Sequence, residues 1–178
     1  MASNEGPSKG AATKRATERA TKRAKKSAGV LLYRRPGGRV EVLLAHPGGP
    51  FWTRKDEQAW SIPKGEFDTE DPFEAARREL TEETGAVVTG PVQPLAPIKQ
   101  PSGKMVHAFA VEQDFDLAGF RSNTFSIEWP PRSGRQQEYP EVDRVAWFPI
   151  DEARLKIQRG QAALLDQLLQ ILEIGRNT

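Results

Sequence analysis

The sequence predicts an α/β domain in which a mixed β-sheet lies between layers of helices, an α/β/α sandwich. Three observations carry that expectation. Two apolar, strand-like runs flank an Arg35-Pro36-Gly37-Gly38 turn, a sharply delimited helix spans residues 72–84, and leucines recur at helical spacing over residues 161–174. Strands followed by a helix, then more strands, then helices, bury their apolar faces by packing as layers.

Taken in order, Gly29-Val30-Leu31-Leu32-Tyr33-Arg34 and residues 40–46 read as the two arms of a hairpin. Residues 47–58 are broken by Gly and Pro and read as a loop carrying Phe51, Trp52, Arg54 and Lys55. Residues 59–62 form a short strand that delivers Pro63-Lys64-Gly65. A helix then starts at Asp71-Pro72-Phe73-Glu74: Asp71 is a good N-cap, Pro72 suits the first helical position, and Glu74 stands where a capping-box carboxylate reaches back. Gly85 fits the left-handed position past the helix end. Phe73, Ala76, Leu80 and Thr84 share the stripe that should face the core.

Residues 87–98 read as strand interrupted by prolines, residues 105–112 as a strand, and residues 114–128 as irregular chain anchored by Phe115, Phe120 and Phe125. Residues 129–135 form a basic, proline-rich loop with Arg132 and Arg135. Residues 141–148 return to strand, Asp151-Glu152-Ala153-Arg154 opens a second helix, and Leu164, Leu165, Leu168, Leu169 and Leu172 face the core from a third.

Composition divides the chain. Residues 1–28 hold eight Lys/Arg and two Glu, against 18 basic and 22 acidic residues in the remainder. This start repeats Ala-Thr-Lys-Arg with small variation and, after Met1, has no apolar side chain larger than alanine with which to join a core. It reads as a disordered basic arm, able to hold a nucleic acid or another polyanion or simply to solubilise the chain. Residues 29–174 are expected to form the folded domain and 175–178 a short disordered tail. With no cysteine and two histidines, thiol catalysis, disulfides and a histidine-rich zinc site are excluded. No apolar run approaches the roughly 18 residues a membrane span needs, and no signal segment is visible, so a cytoplasmic location is expected. Either a monomer or a homodimer is compatible with the sequence.

The most informative stretch is Arg78-Glu79-Leu80-Thr81-Glu82-Glu83-Thr84-Gly85. On a helix Glu79, Glu82 and Glu83 are neighbours, and such like charges repel. Only Arg78 borders the arc. A solvated acidic face is the plain alternative, but hard oxygen ligands clustered this way suit Mg²⁺ or Mn²⁺ and, through the ion, phosphate.

These residues resemble the Nudix box, the signature of Nudix hydrolases: Gly, five residues, Glu, seven residues, then Arg-Glu-hydrophobic-x-Glu-Glu-x-Gly-hydrophobic. Glu70 and the run from Arg78 to Ala86 fit in register, while four residues rather than five separate Gly65 from Glu70. The wider chain, over roughly residues 27–172, is similar to a bacterial subgroup of MutT-like Nudix pyrophosphohydrolases through its segments 45–52, 60–66 and 139–143. The resemblance implies the Nudix fold with its loop-helix-loop. It also implies metal ligation by Glu82 and Glu83, with Glu79 as a ligand or general base. Arg78 would orient the carboxylates, Glu70 would be a further ligand or the partner of Arg78, and the main-chain carbonyl of Lys64 would join the metal. A glutamate outside the box often serves as base; Glu141 is the choice here and Glu138 the runner-up. Arg54, Lys55, Arg132 and Arg135 could meet phosphates, and Trp52 or Phe51 could stack on a base.

The expected activity is divalent-metal-dependent hydrolysis of a phosphoanhydride in a nucleoside diphosphate linked to another moiety, a dinucleoside polyphosphate or an NTP. Two alternatives stand beside it. One is removal of the 5′ pyrophosphate from RNA with the basic arm holding the chain; the other is a silent nucleotide-binding module, against which the retained Glu79, Glu82 and Glu83 argue.

Overall fold

A computed structural model describes residues 24–175, so residues 1–23 of the basic arm and 176–178 of the tail lie outside the described residues. A seven-stranded sheet forms the centre. Along it run β4 (Val92–Pro94), β6 (Met105–Glu112), β1 (Lys26–Arg34), β2 (Glu41–Pro47) and β9 (Val142–Pro149); β3 (Lys64–Phe67) pairs with β1, and β5 (Ile98–Lys99) with β6. β1 and β6 are parallel and the other pairings antiparallel, so the sheet is mixed. A separate hairpin joins β7 (Thr124–Glu128) to β8 (Gln136–Pro140).

The two faces of β1 and β2 explain their unbroken apolar runs. Val30, Leu32, Leu43 and Ala45 pack with Ala75, Ala76 and Leu80 of α1 (Pro72–Thr84). Leu31, Val42 and Leu44 face the other way, onto α2 (Ile150–Lys156) and Leu164, Leu165 and Leu168 of α3 (Ala162–Ile174). A sheet covered on both faces has no polar side to show, which is why alternation is absent from these strands. The expected α/β/α sandwich is therefore the observed one.

α1 begins and ends as its sequence predicts. Asp71 accepts hydrogen bonds from the N–H groups of Phe73 and Glu74, and Gly85, at φ 82°, donates to the Thr81 carbonyl. The capping box is not closed from the other side: the Glu74 carboxylate accepts from Arg77. The fully buried Leu80 ties this helix to the sheet. Leu80→Ala should cost about 2–5 kcal/mol of stability, read as a fall in denaturant midpoint at unchanged slope.

Three elements differ from the sequence reading. β1 starts at Lys26, so Lys26, Ser27 and Ala28, placed in the basic arm by composition, pair instead with Phe67, Glu66 and Gly65 of β3. The stretch 59–62 makes only single bridges, from Trp60 to Ile157 and from Ser61 to Ala45. Residues 124–128 are strand rather than irregular, because β8 lies alongside them; neither strand has an apolar run that marks it.

Candidate active site

The site forms where β3 passes under α1. Glu79 is on the inner face of the helix, 9% exposed. Its carboxylate lies directly on the Cα of Gly65, so that a β-carbon at Gly65 would fall inside it. Residue 65 has no room for a side chain, independently of how many residues follow before Glu70. One residue earlier, the Lys64 N–H donates to Glu83 Oε2 at 3.0 Å. The two residues of one strand thus seat two carboxylates of one helix.

Arg78 gathers the others. Its Nη1 donates to Glu79 Oε1 at 2.6 Å and to Glu82 Oε2 at 3.3 Å, while Nη2 donates to Glu70 Oε1 at 2.6 Å. Arg78 does not merely border the acidic arc; it bridges two of its carboxylates, Glu79 and Glu82, to Glu70. The shorter loop does not prevent Glu70 from reaching it. These bonds, that to Glu70 first, hold the guanidinium firmly charged.

The negative charge is still not balanced. Among the described residues no Lys or Arg forms an ion pair with Glu83 or Glu141. Burial, the Glu79 charge and the Glu141 charge push the Glu83 carboxyl up to about 8, against the Lys64 N–H bond and ammonium. Burial also raises Glu79, opposed by Arg78 and reinforced by Glu82 and Glu141. The Lys64 ammonium gives limited relief, because burial and the nearby Lys104 charge lower its own pKa.

A cavity of about 180 Å³ opens beside this cluster. Lys64, Glu83, Glu141, Trp52, Gln158, Ser61 and Ile62 are among the residues that line it. Glu141 therefore shares a cavity with one box glutamate, Glu83. Glu138, in β8, does not line it. Trp52 reaches it as well, with the Lys55 ammonium 4.7 Å from its ring centroid. Arg54, Arg132 and Arg135 are exposed and do not line it. Phe51 packs edge-on against Trp129 instead.

The loop bearing Trp52 is tethered by a residue that sequence reasoning passed over. His46 is wholly buried, its Nδ1 2.8 Å from Asp143 Oδ1 and its Nε2 2.7 Å from the Lys55 carbonyl oxygen. Gln158 and the buried Gln161 were missed too. Both are isolated glutamines between a helix and a turn, with no spacing signal to mark them.

Among the described residues no three acidic or imidazole groups already converge as an ion-holding set. The reason is visible in the hydrogen bonds: Arg78 holds Glu79 and Glu82, and the Lys64 N–H holds Glu83. The donor set nevertheless suits a hard divalent cation. Its atoms are carboxylate oxygens, and their mutual repulsion, with Glu83 raised to about 8, is what an added positive charge relieves.

A family model described as NUDIX domain matches residues 23–168. Several solved structures share the fold. The NUDIX domain of Shewanella oneidensis NrtR, complexed with ADP ribose, is 17% identical with a TM-score of 0.60, over 86% of this chain and 92% of that one. A C. elegans Ap4A hydrolase binary complex is 21% identical with a TM-score of 0.58, over 84% and 98%. A mutT/nudix family protein from Listeria innocua is 19% identical with a TM-score of 0.56, over 86% and 98%. No curated protein sequence matches significantly. The match over most of the chain makes this protein a hydrolase of phosphoanhydride bonds. The chain belongs to the Nudix family. Among the described residues no helix is long and apolar enough to cross a membrane.

Proposed function

We propose that this enzyme hydrolyses a phosphoanhydride within a nucleoside diphosphate linked to another moiety, a dinucleoside polyphosphate or an NTP, and requires Mg²⁺ or Mn²⁺. The observation that carries this reading is the uncompensated carboxylate pair Glu83 and Glu141 lining a cavity that Trp52 also lines. Glu79, Glu82, Glu83 and Glu70 would hold the cation, together with the Lys64 carbonyl. A bound ion would neutralise phosphate oxygens and acidify the attacking water.

The chain's own groups have separable tasks. Arg78 tethers Glu70, Glu79 and Glu82 through its guanidinium. Glu141 takes the proton from water as the new P–O bond forms and the bridging P–O bond breaks. It suits that task better than Glu79, whose carboxylate is bound by Arg78 and packed on Gly65. Trp52 stacks on the base, while Arg54, Lys55, Arg132 and Arg135, on surrounding exposed loops, draw in the phosphates.

The test is a panel of NTPs and dinucleoside polyphosphates incubated with Mg²⁺ or Mn²⁺, with and without chelator, and resolved by product chromatography. Hydrolysis that stops on chelation and resumes on adding the cation is expected. Equal turnover with and without chelator would overturn the metal requirement. Inertness toward every nucleotide in the panel would overturn the substrate class.

A further inference from the structure

The hydrogen-bond pattern behind the cavity fixes the orientation of one side-chain amide that faces it. The Ile62 N–H can only donate, and its acceptor is Gln161 Oε1 at 3.1 Å. Gln161 is fully buried, so turning its amide over would bury two donors against each other. Its Nε2 must therefore point the other way, where it donates to Ser61 Oγ at 2.9 Å and to Gln158 Oε1 at 3.2 Å. Ser61 Oγ can accept because its own hydrogen goes to the Ile62 carbonyl at 2.7 Å. Gln158 is oriented in turn: its oxygen is taken by Gln161, and its NH₂ group is what remains. Among the described residues that Nε2 has no hydrogen-bond partner, and Gln158 lines the cavity with Trp52 and Glu141.

We infer that Gln158 is a specificity-determining residue, a fixed donor that reads a hydrogen-bond acceptor on the base end of the substrate. This rests on the nucleotide reading above and deepens it. A cavity of about 180 Å³ is below the roughly 300–1,000 Å³ of sites that enclose a whole small-molecule ligand. It takes one end of the substrate, with the phosphates at the carboxylates. An exocyclic carbonyl on the base accepts from Gln158; an exocyclic amine in its place sets donor against donor. The preferred substrate therefore carries an oxo-base rather than an amino-base. A freely rotating surface glutamine would turn over to suit either, whereas this one is held by a backbone N–H two links away.

The experiment compares nucleotides matched except for that group and the proton on the ring nitrogen beside it, ITP with ATP and UTP with CTP, in wild type, Gln158→Met and Gln158→Glu. Steady-state kcat/KM is measured with Mg²⁺, and Kd by calorimetry with Ca²⁺ in its place. Wild type should favour the oxo member of at least one pair by roughly tenfold, mainly in KM. Gln158→Met, of similar length and without donors, should bring the ratio to near one. Gln158→Glu should move it toward the amino member; its added charge acts on both members of a pair alike, so the ratio stays informative. Circular dichroism melts verify folding of each variant.

Hydrolysis whose oxo-to-amino ratio is the same in all three proteins overturns the role of Gln158 and leaves the hydrolase reading standing. Binding ranked by Gln158 without turnover overturns the hydrolase reading alone. Neither binding nor turnover of any of the four nucleotides overturns the role of Gln158, and overturns the hydrolase reading too when the dinucleoside polyphosphates are also inert.

Discussion

Glu83→Gln should lower kcat/KM by roughly 10²–10³-fold while leaving the fold intact. The side chain keeps its shape and its acceptor oxygen for the Lys64 N–H, so the 3.0 Å bond to β3 can persist. What disappears is the charge. Stability should move in the opposite direction from activity when divalent ions are absent. The Glu83 carboxyl titrates at about 8 in the folded protein, well above its ordinary value of 4.5. Below pH 4.5 the group is protonated in folded and unfolded chains alike and contributes nothing. Between 4.5 and 8 the unfolded chain gives up its proton while the folded one retains it, so wild-type stability falls as pH rises, and above 8 the full cost is present. Metal-free Glu83→Gln should thus melt above wild type at pH 9 and level with it near pH 4. Adding Mg²⁺ should narrow the gap at pH 9, since a cation that binds only the folded wild type stabilises it. An active Glu83→Gln enzyme, or one that melts below wild type at pH 9 without metal, would remove Glu83 from the centre of the site.

Gly65→Ala should be nearly as damaging, by a steric route. The new methyl would occupy the space of the Glu79 carboxylate. Glu79 is 9% exposed and bonded to Arg78 at 2.6 Å, so it cannot step aside without breaking that bond. Overpacking of this kind costs about 1–3 kcal/mol, and kcat/KM should fall by at least about tenfold because carboxylate placement is disturbed. The diagnostic variant is the double change. Removing the obstruction with Glu79→Ala should recover the stability lost in Gly65→Ala but not the activity, with a coupling energy of about 1 kcal/mol or more. Additive melting temperatures in that cycle would mean that the two residues do not press on each other.

The contrast between Glu83 and Gly65 shows how far the sequence reaches. The helix that carries the glutamates was legible to the residue, because Asp71, Pro72 and Gly85 act within one turn of their own positions. The spacing of Glu79, Glu82 and Glu83 followed from helical geometry alone. For Gly65 the sequence offered only a loop one residue short of the family pattern. The reason for a glycine there is a carboxylate from a helix fourteen positions on, and the Glu70 bond to Arg78 forms despite the missing residue. The role of Arg78 was understated for a related reason: bonds to Glu70 depend on where the loop returns, which a helical wheel does not contain.

Outside the box the sequence could name candidates but not choose among them. Glu138 and Glu141 are three residues apart, Glu138 within β8 and Glu141 in the bend between β8 and β9, and only the pairing of β9 with β2 puts Glu141 at the cavity. Arg54, Arg132 and Arg135 looked equivalent to Trp52 and Lys55 as loop residues, yet Trp52 is the one that lines the cavity. His46 and Gln161 carried no signal at all; Gln161 matters because it satisfies the Ile62 N–H 99 positions away, and His46 because it ties the Lys55 carbonyl to Asp143, 97 positions away.

The sequence by itself determined the layered α/β architecture, the glutamate helix with its caps, and the chemistry that a cluster of carboxylates implies. All of these arise from interactions a few residues long, whose geometry repeats wherever the same residues occur. The tertiary structure decided which carboxylates are balanced and which are not, why residue 65 must be glycine, and which way the Gln158 amide faces. Those depend on contacts between segments brought together only by the sheet, where close packing and the need to satisfy every buried donor leave one arrangement.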